Sequence, residues 1–137
     1  NVMVLLSDGD DTGSLLSFDD VLDDARRSRV LIYAISVRTD RKGSVVAPSW
    51  QMAQLAHATG GRAVAVRDVI GLDQIYRDIA AELFHLYRLG YVPTTRVHDG
   101  SWRPVSVRVA TRDLAIRTRS GYYAPRAPVN HRRGTGR

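Results

Sequence analysis

The fold is decided at the start of the chain, where Val2-Met3-Val4-Leu5-Leu6 runs directly into Ser7-Asp8-Gly9-Asp10-Asp11-Thr12. An apolar run without polar alternation predicts a strand that is covered on both faces, as in a parallel sheet flanked by helices. Open α/β folds bind their ligands at the carboxyl edge of such a sheet. Three carboxylates directly after the strand therefore make this loop the first candidate site, suited to a hard cation or to acid/base chemistry.

The chain begins with Asn1, at the edge of this strand, and not with an initiator Met. We therefore expect a fragment of a longer protein, in which part of the site that Asp8 serves is missing. Such a fragment would expose the edge at which an earlier strand pairs. An exposed apolar edge favours poor solubility or self-association.

The composition is that of one globular domain. A chain of 137 residues with 44% hydrophobic residues can build one domain with a modest core. The absence of cysteine excludes disulfides, thiolate metal sites and cysteine nucleophiles. No stretch approaches the roughly 20 apolar residues of a membrane-spanning helix, so we expect no membrane segment in this chain.

The net charge of +6 is unevenly distributed. Residues 1–25 contain seven Asp and no Lys or Arg, whereas residues 96–137 contain ten Arg against Asp99 and Asp113. The Arg residues are spread singly along β-like segments and are not clustered on a helix. We therefore expect no nucleic-acid partner.

Helices and strands alternate after the acidic loop. The predicted elements are a helix over 17–27, a strand over 30–37, a helix from Pro48 and Ser49 to Thr59 that Gly60-Gly61 ends, and a strand over 63–66. Ser17 is a candidate cap with Asp20 three residues later. The first helix's acids predict a solvated face that matches the helix dipole. This alternation predicts parallel strands with right-handed crossovers.

The pattern changes in the second half of the chain. A helix is predicted over 72–84, followed by short strands over 86–92, 105–109 and 114–116. The last two strands have the alternation that is typical of a half-exposed antiparallel sheet. Beyond Pro125 the chain has little apolar content, which predicts a disordered basic tail. The expected divisions are 1–92 for the parallel unit, 93–125 for the antiparallel extension and 126–137 for the tail.

Four segments together resemble the C-terminal half of a von Willebrand factor A domain of the bacterial von Willebrand factor A-related group. They are Val4-Leu5-Leu6-Ser7-Asp8-Gly9 with Asp11, Val30-Leu31-Ile32-Tyr33-Ala34-Ile35, Leu55-Ala56 with Thr59-Gly60-Gly61-Arg62, and the stretch from Ile75-Tyr76 to Gly90-Tyr91. The closing Asp99-Gly100-Ser101-Trp102-Arg103 and Gly121-Tyr122-Tyr123-Ala124-Pro125 also resemble the end of that group. The resemblance spans about residues 2–125.

The resemblance implies an α/β fold, a Rossmann-like doubly wound parallel sheet of which this chain carries the C-terminal half, with a small antiparallel β appendage. It implies a metal-ion-dependent adhesion site at the carboxyl edge, where an Asp-x-Ser-x-Ser loop, a Thr from a later loop and an Asp at the position of Asp8 hold a divalent cation, usually Mg²⁺. A carboxylate of a partner protein fills the open coordination position. The family also suggests a secreted or cell-envelope protein.

Asp8 is the one metal ligand that the resemblance assigns to this chain. The Asp-x-Ser-x-Ser and Thr loops would both lie before Asn1, and in the family the Asp at the position of Asp8 often binds through water. We therefore expect the chain alone to bind a cation weakly or not at all. In the intact protein the expected function is cation-assisted protein–protein binding, with no chemistry on the partner.

Simpler roles remain open for the same loop. Asp8-Gly9 is also a common turn at a strand end. Asp10 and Asp11 are also typical of acids that solvate a loop or cap a helix, and Ser7 and Thr12 of turn residues that satisfy the backbone.

The loop also fits the Asp-x-Asp-x-Thr motif of haloacid dehalogenase-like phosphatases. There, Asp8 would attack phosphorus, Asp10 would be the general acid/base and Mg²⁺ would bridge them, with Asp68 and Asp73 as a distal acidic pair. Against this, Gly13 replaces an apolar residue and Lys42, the only Lys, lies in a predicted loop. The four His share no ligand spacing, and no phosphate-cradling glycine loop is present. We therefore expect no enzyme activity.

Overall fold

Two separate sheets organise the chain in this computed structural model, which describes residues 1–7, 15–37, 46–94, 97–111 and 114–126. The elements, in chain order, are β1 (Val2–Ser7), α1 (Phe18–Arg27), β2 (Leu31–Val37), α2 (Trp50–Thr59), β3 (Ala63–Val66), α3 (Val69–Phe84), β4 (Trp102–Pro104) and β5 (Gly121–Tyr123). The first three strands form one sheet and the last two form the other.

The larger sheet is parallel, with the strand order β1-β2-β3. Leu5 lies beside Ala34, which in turn lies beside Ala63. Each strand is joined to the next by a helix, as parallel pairing requires. The predicted α/β class and its partial Rossmann-like sheet are therefore confirmed.

Helices cover β2 on both faces. Tyr33 and Ile35 pack with Val66 and with Ile79 of α3. Ala34, whose side chain points to the other face, packs with Met52 and Ala56 of α2. Burial of a large apolar side chain contributes about 1.5–3 kcal/mol, so this doubly covered strand is the centre of the core.

The predicted helix ends are confirmed by local geometry. Ser17 and Asp20 form a reciprocal capping box at the start of α1. Ser49 caps α2, which ends at Gly60 with φ of 87°, a left-handed conformation that favours glycine. A Cβ atom on Gly61 would lie 1.9 Å from the carbonyl oxygen of Ile32, so the backbone of β2 leaves no room for a side chain there.

Helix α3 begins three residues earlier than predicted. It starts at Val69 because Asp68 caps it, accepting a hydrogen bond from the backbone N–H of Gly71 at 3.1 Å. The apolar periodicity from Leu72 onward marked the packed part of the helix and missed its exposed first turn, where Val69 and Ile70 are 74% and 86% exposed.

The antiparallel appendage is present, but not in the predicted segments. The described parts of 86–92, 105–109 and 114–116 contain no strand. The observed pair is β4–β5, in which Trp102 lies opposite Tyr123. Residues 86–92 remain largely exposed, with Tyr87 at 89% and Val92 at 78%. For 105–109 and 114–116, alternation alone does not supply a pairing partner. The predicted tail lies almost wholly outside the described residues.

Strand β1 is the edge of the described sheet. Val2, Val4 and Leu6 are 42%, 37% and 50% exposed and lie on the same face of the sheet as Tyr33. Helix α3 covers that face only over β2 and β3. An edge of this kind lacks the charges and prolines that normally protect one. The expected self-association stays a prediction.

Candidate functional site

The first candidate site lies at the carboxyl edge of the parallel sheet. The strands β1, β2 and β3 end there at Ser7, Val37 and Val66. Ser7 lies beside Ser36, which is 1% exposed, so the chain leaves the sheet at this edge immediately before Asp8. Asp8 itself, with Asp10, Asp11 and Thr12, lies outside the described residues.

The two acids that could form a distal pair have local partners. Asp68 caps α3 through the N–H of Gly71. Asp73 forms an ion pair with Arg77 at 2.5 Å, in which the side chains are 69% and 71% exposed. Both carboxylates are therefore accounted for by helix capping and by an i, i+4 pair on the surface. Lys42 lies outside the described residues.

No group of three or more His, Asp or Glu side chains that could hold a metal occurs within the described ranges. In the described part of the carboxyl edge, Ser7 and Ser36 lie side by side near the ends of β1 and β2.

Asp19, Asp20 and Asp24 of α1 are exposed to solvent, as predicted for the acids of this helix, whereas Asp23 contacts the small sheet. Asp23 accepts a hydrogen bond from the phenol of Tyr123 and a second from Arg27 at 3.1 Å. The Tyr123 hydrogen bond is the main reason that the pKa of Asp23 lies below its ordinary value. Arg27 also lies over the Tyr123 ring, with 3.9 Å between the guanidinium carbon and the ring centroid.

A second contact completes this interface. Arg26 lies over the Trp102 ring at 5.1 Å, and Trp102 packs edge-on against Tyr123 with 4.9 Å between the ring centroids. Cation–π contacts at partly exposed sites contribute about 0.5–1 kcal/mol each. The small sheet is thus attached to α1 by aromatic, charged and hydrogen-bonding contacts.

The chain's only glutamate, Glu82 near the end of α3, is the centre of a charged cluster that the sequence did not indicate. Its carboxylate accepts a hydrogen bond from the Tyr33 phenol at 3.1 Å and pairs with Arg62 at 2.9 Å and with Arg117. Burial, followed by the hydrogen bond to Glu82, raises the pKa of Tyr33. The cluster joins α3 to β2 through Tyr33, to the residue before β3 through Arg62, and to the C-terminal segment through Arg117.

The histidines do not converge within the described ranges. His57 and His85 are exposed, and the His85 ring makes a 2.8 Å contact with the carbonyl oxygen of Ala81. Trp50 is 63% exposed and packs against Phe18 at 5.2 Å. These side chains support local packing and provide no ligand set.

No protein-family model matches the chain, and no curated protein matches it. Among solved structures, the chain is similar to the crystal structure of an uncharacterized membrane spanning protein from Vibrio fischeri, with 22% sequence identity and a TM-score of 0.49. The match covers 59% of this chain and 46% of that one, so this chain spans less than half the length of that protein. Within the described ranges, no helix has the length and apolar character needed to cross a bilayer.

Proposed function

We propose that this chain is part of a von Willebrand factor A-type module that binds a partner protein through a divalent cation. Asp8 would be one of the ligands of Mg²⁺ at the carboxyl edge of the sheet, directly or through a water molecule. The proposal rests on one observation, that β1 delivers the chain to this edge immediately before Asp8.

The sheet supports the proposal by its geometry. Parallel strands that are covered by helices on both faces bring their carboxyl ends, and the loops after them, to one edge. Asp8 follows β1, which lies next to β2 in the sheet. The side chains of β2 are the most deeply buried of the described residues. Because β1 pairs with β2 along its whole length, the start of the loop after β1 is held at a defined place on this edge.

The chemistry fits a shared site. Mg²⁺ prefers octahedral oxygen ligands, keeps several waters and uses few protein carboxylates. Asp8 supplies one such carboxylate, while the remaining ligands would come from other loops and from a carboxylate of the partner. When bound, the cation would supply the attraction for that partner carboxylate, and Asp8 would orient the cation.

Calorimetric titration of Mg²⁺ tests this assignment. The 137-residue chain should bind weakly or not at all, while a version extended upstream should bind measurably. Asp8→Asn in the extended version should weaken binding, whereas Asp78→Asn, which makes the same charge change in the second half of α3, should not. Micromolar binding by the 137-residue chain would contradict the expectation that its cation site is incomplete.

A chelator experiment separates this function from that of a metal-free binding module. Once a partner is identified, its affinity for the extended chain should fall when the divalent cation is removed and recover when Mg²⁺ is restored. Equal partner binding with and without chelator would instead support a structural module that needs no metal.

The phosphatase alternative has a separate test. The 137-residue chain should release no phosphate above background from a generic aryl phosphate. Steady turnover that is lost in Asp8→Asn would favour the enzyme. The local partners of Asp68 and Asp73 argue against that outcome, since both acids have structural roles.

A further inference from the structure

The connection between β4 and β5 is long for two strands that pair directly with each other. It begins at Val105 and ends at Ser120, whereas paired antiparallel strands are most often joined by about two to five residues. The N–H of Val105 donates to the carbonyl oxygen of Ser120 at 3.0 Å, which closes the base of the connection. The structure describes a first limb over 105–109 and a second limb over 114–118, with no strand in either.

Both limbs have the sequence pattern of a strand but lack the hydrogen bonds of one. Apolar side chains recur at every second position of each limb, namely Val105, Val107, Val109, Leu114 and Ile116. Within the described ranges, no hydrogen bond joins the backbone of 106–109 or of 114–118 to another backbone group. Backbone N–H and C=O groups without a protein partner bond to water or to a bound molecule. The limbs therefore offer free strand edges.

The two limbs line one groove of about 680 Å³, together with α2 and the start of β3. Val107 of the first limb and Ile116 of the second limb are on its wall, with Ala53 of α2 and Ala63 of β3. Apolar side chains thus meet the groove from both limbs. No described residue before Ala53 lines the groove, so it does not involve β1 or the edge at which an earlier strand would pair.

The connection carries an excess of positive charge. Residues 105–120 contain four Arg and one Asp, and no acidic residue is among the described lining of the groove. Arg117 pairs with Glu82, whereas Arg108 is exposed and forms no ion pair within the described ranges. A ligand with acidic side chains would complement this charge.

We propose that the groove binds an extended peptide of a partner protein by strand addition, and that apolar side chains alternate with acidic ones in this peptide. Its main chain would pair with the free N–H and C=O groups of the limbs, and its apolar side chains would contact Val107 and Ile116. Strand addition uses these two elements, since main-chain hydrogen bonds give affinity and alternate side chains give specificity. The site does not include Asp8 and does not depend on the cation function proposed above.

Fluorescence anisotropy with a labelled peptide of the sequence Val-Glu-Val-Glu-Val-Glu tests the site on the 137-residue chain. A matched peptide with Lys in place of Glu should bind at least about tenfold more weakly, because its charge is repelled. A strand donates along one edge from every second residue, so two further peptides carry N-methyl groups on the Val or on the Glu nitrogens. At least one of these should also bind about tenfold more weakly. Equal binding of the Lys peptide, or of both methylated peptides, would overturn the proposal.

Variants of the two limbs test the location of the peptide. Val107→Ser and Ile116→Ser remove apolar contacts from the wall and should each weaken binding about fivefold. Val109→Ser and Leu114→Ser make the matched changes at positions of the same limbs that are not among the lining residues, and should leave binding unchanged. Circular dichroism verifies that each variant is folded. An equal loss of binding in the two pairs of variants would contradict the assigned groove.

Hydrogen exchange of the backbone amides distinguishes the other occupants. The amides of 106–109 and 114–118 should exchange rapidly in the free chain, since they have no described backbone partner, and slowly with the peptide bound. Slow exchange in the free chain would show that the limbs are already paired, with each other or with a second copy, and would overturn the proposal.

Discussion

Replacing Glu82 by Gln should destabilise the protein far more than removing a surface carboxylate. Glu82 accepts from Tyr33 and pairs with Arg62 and Arg117, and its side chain is only 25% exposed. Hydrogen bonds to charged groups contribute about 1.5–3 kcal/mol each. Glutamine keeps one carbonyl acceptor of the same shape, and solvent screens part of the ion pairs. The expected loss in the free energy of unfolding is therefore about 2 kcal/mol.

Urea unfolding followed by far-ultraviolet circular dichroism measures this loss. A matched control is Asp73→Asn, which removes an acid whose side chain is 69% exposed in its pair with Arg77. That change should cost no more than about 0.5 kcal/mol, the usual value of an exposed i, i+4 pair. A 2 kcal/mol loss lowers the melting temperature of a domain of this size by about 6–10 °C. If Glu82→Gln costs no more than Asp73→Asn, the cluster does not stabilise the fold as argued.

Three other predictions follow from single contacts. The pKa values of Tyr33 and Tyr123 are raised in the folded protein, so both tyrosines stabilise it below the unfolded tyrosine pKa of about 10, and this stabilisation is lost as the pH rises through the folded pKa values. Tyr123→Phe should reduce this alkaline loss of stability in urea titrations across pH, and an unchanged profile would contradict the assignment. Gly61→Ala should destabilise the protein by at least about 2 kcal/mol, because the added Cβ would meet the carbonyl oxygen of Ile32. Gly90→Ala should be tolerated, because a Cβ there meets nothing within 4 Å, and equal melting temperatures of the two variants would refute this reasoning. Leu6→Lys should reduce concentration-dependent self-association in light scattering, because it puts a charge on the exposed edge strand, and unchanged association would exclude that edge as the contact.

The predictable part of this fold is local in sequence. Ser17 and Asp20 are three residues apart, and Gly60 directly follows α2, so caps and stops could be identified from neighbouring residues alone. The parallel sheet was predictable because continuous apolar runs at this spacing have few other solutions.

The unpredicted part depends on contacts between distant residues. Tyr33 and Glu82 are 49 positions apart and Asp23 and Tyr123 are 100 apart, and no local pattern links them. The contact of Asp23 with the small sheet was missed because a helix wheel shows which face is polar but not what packs on it. The strands predicted at 105–109 and 114–116 were wrong because apolar alternation defines a face, while pairing needs a partner at the right register.

The candidate site was predicted only by its place in the fold. A strand that ends in acids predicts a site at the carboxyl edge, and β1 does bring the chain to that edge at Ser7.

The most direct test of the central claim is the location of a bound cation. Mn²⁺, a paramagnetic substitute for Mg²⁺, broadens amide resonances near its site in nuclear magnetic resonance spectra. In the chain extended upstream, the amides of Ser7 and Val37 should broaden strongly. Those of Val2 and Leu31, which lie about 17 Å or more away along the strands, should broaden much less. Asp8→Asn should weaken the effect at Ser7. Broadening centred on Val2 and Leu31, or an equal effect with Asp8→Asn, would contradict a cation site at Asp8.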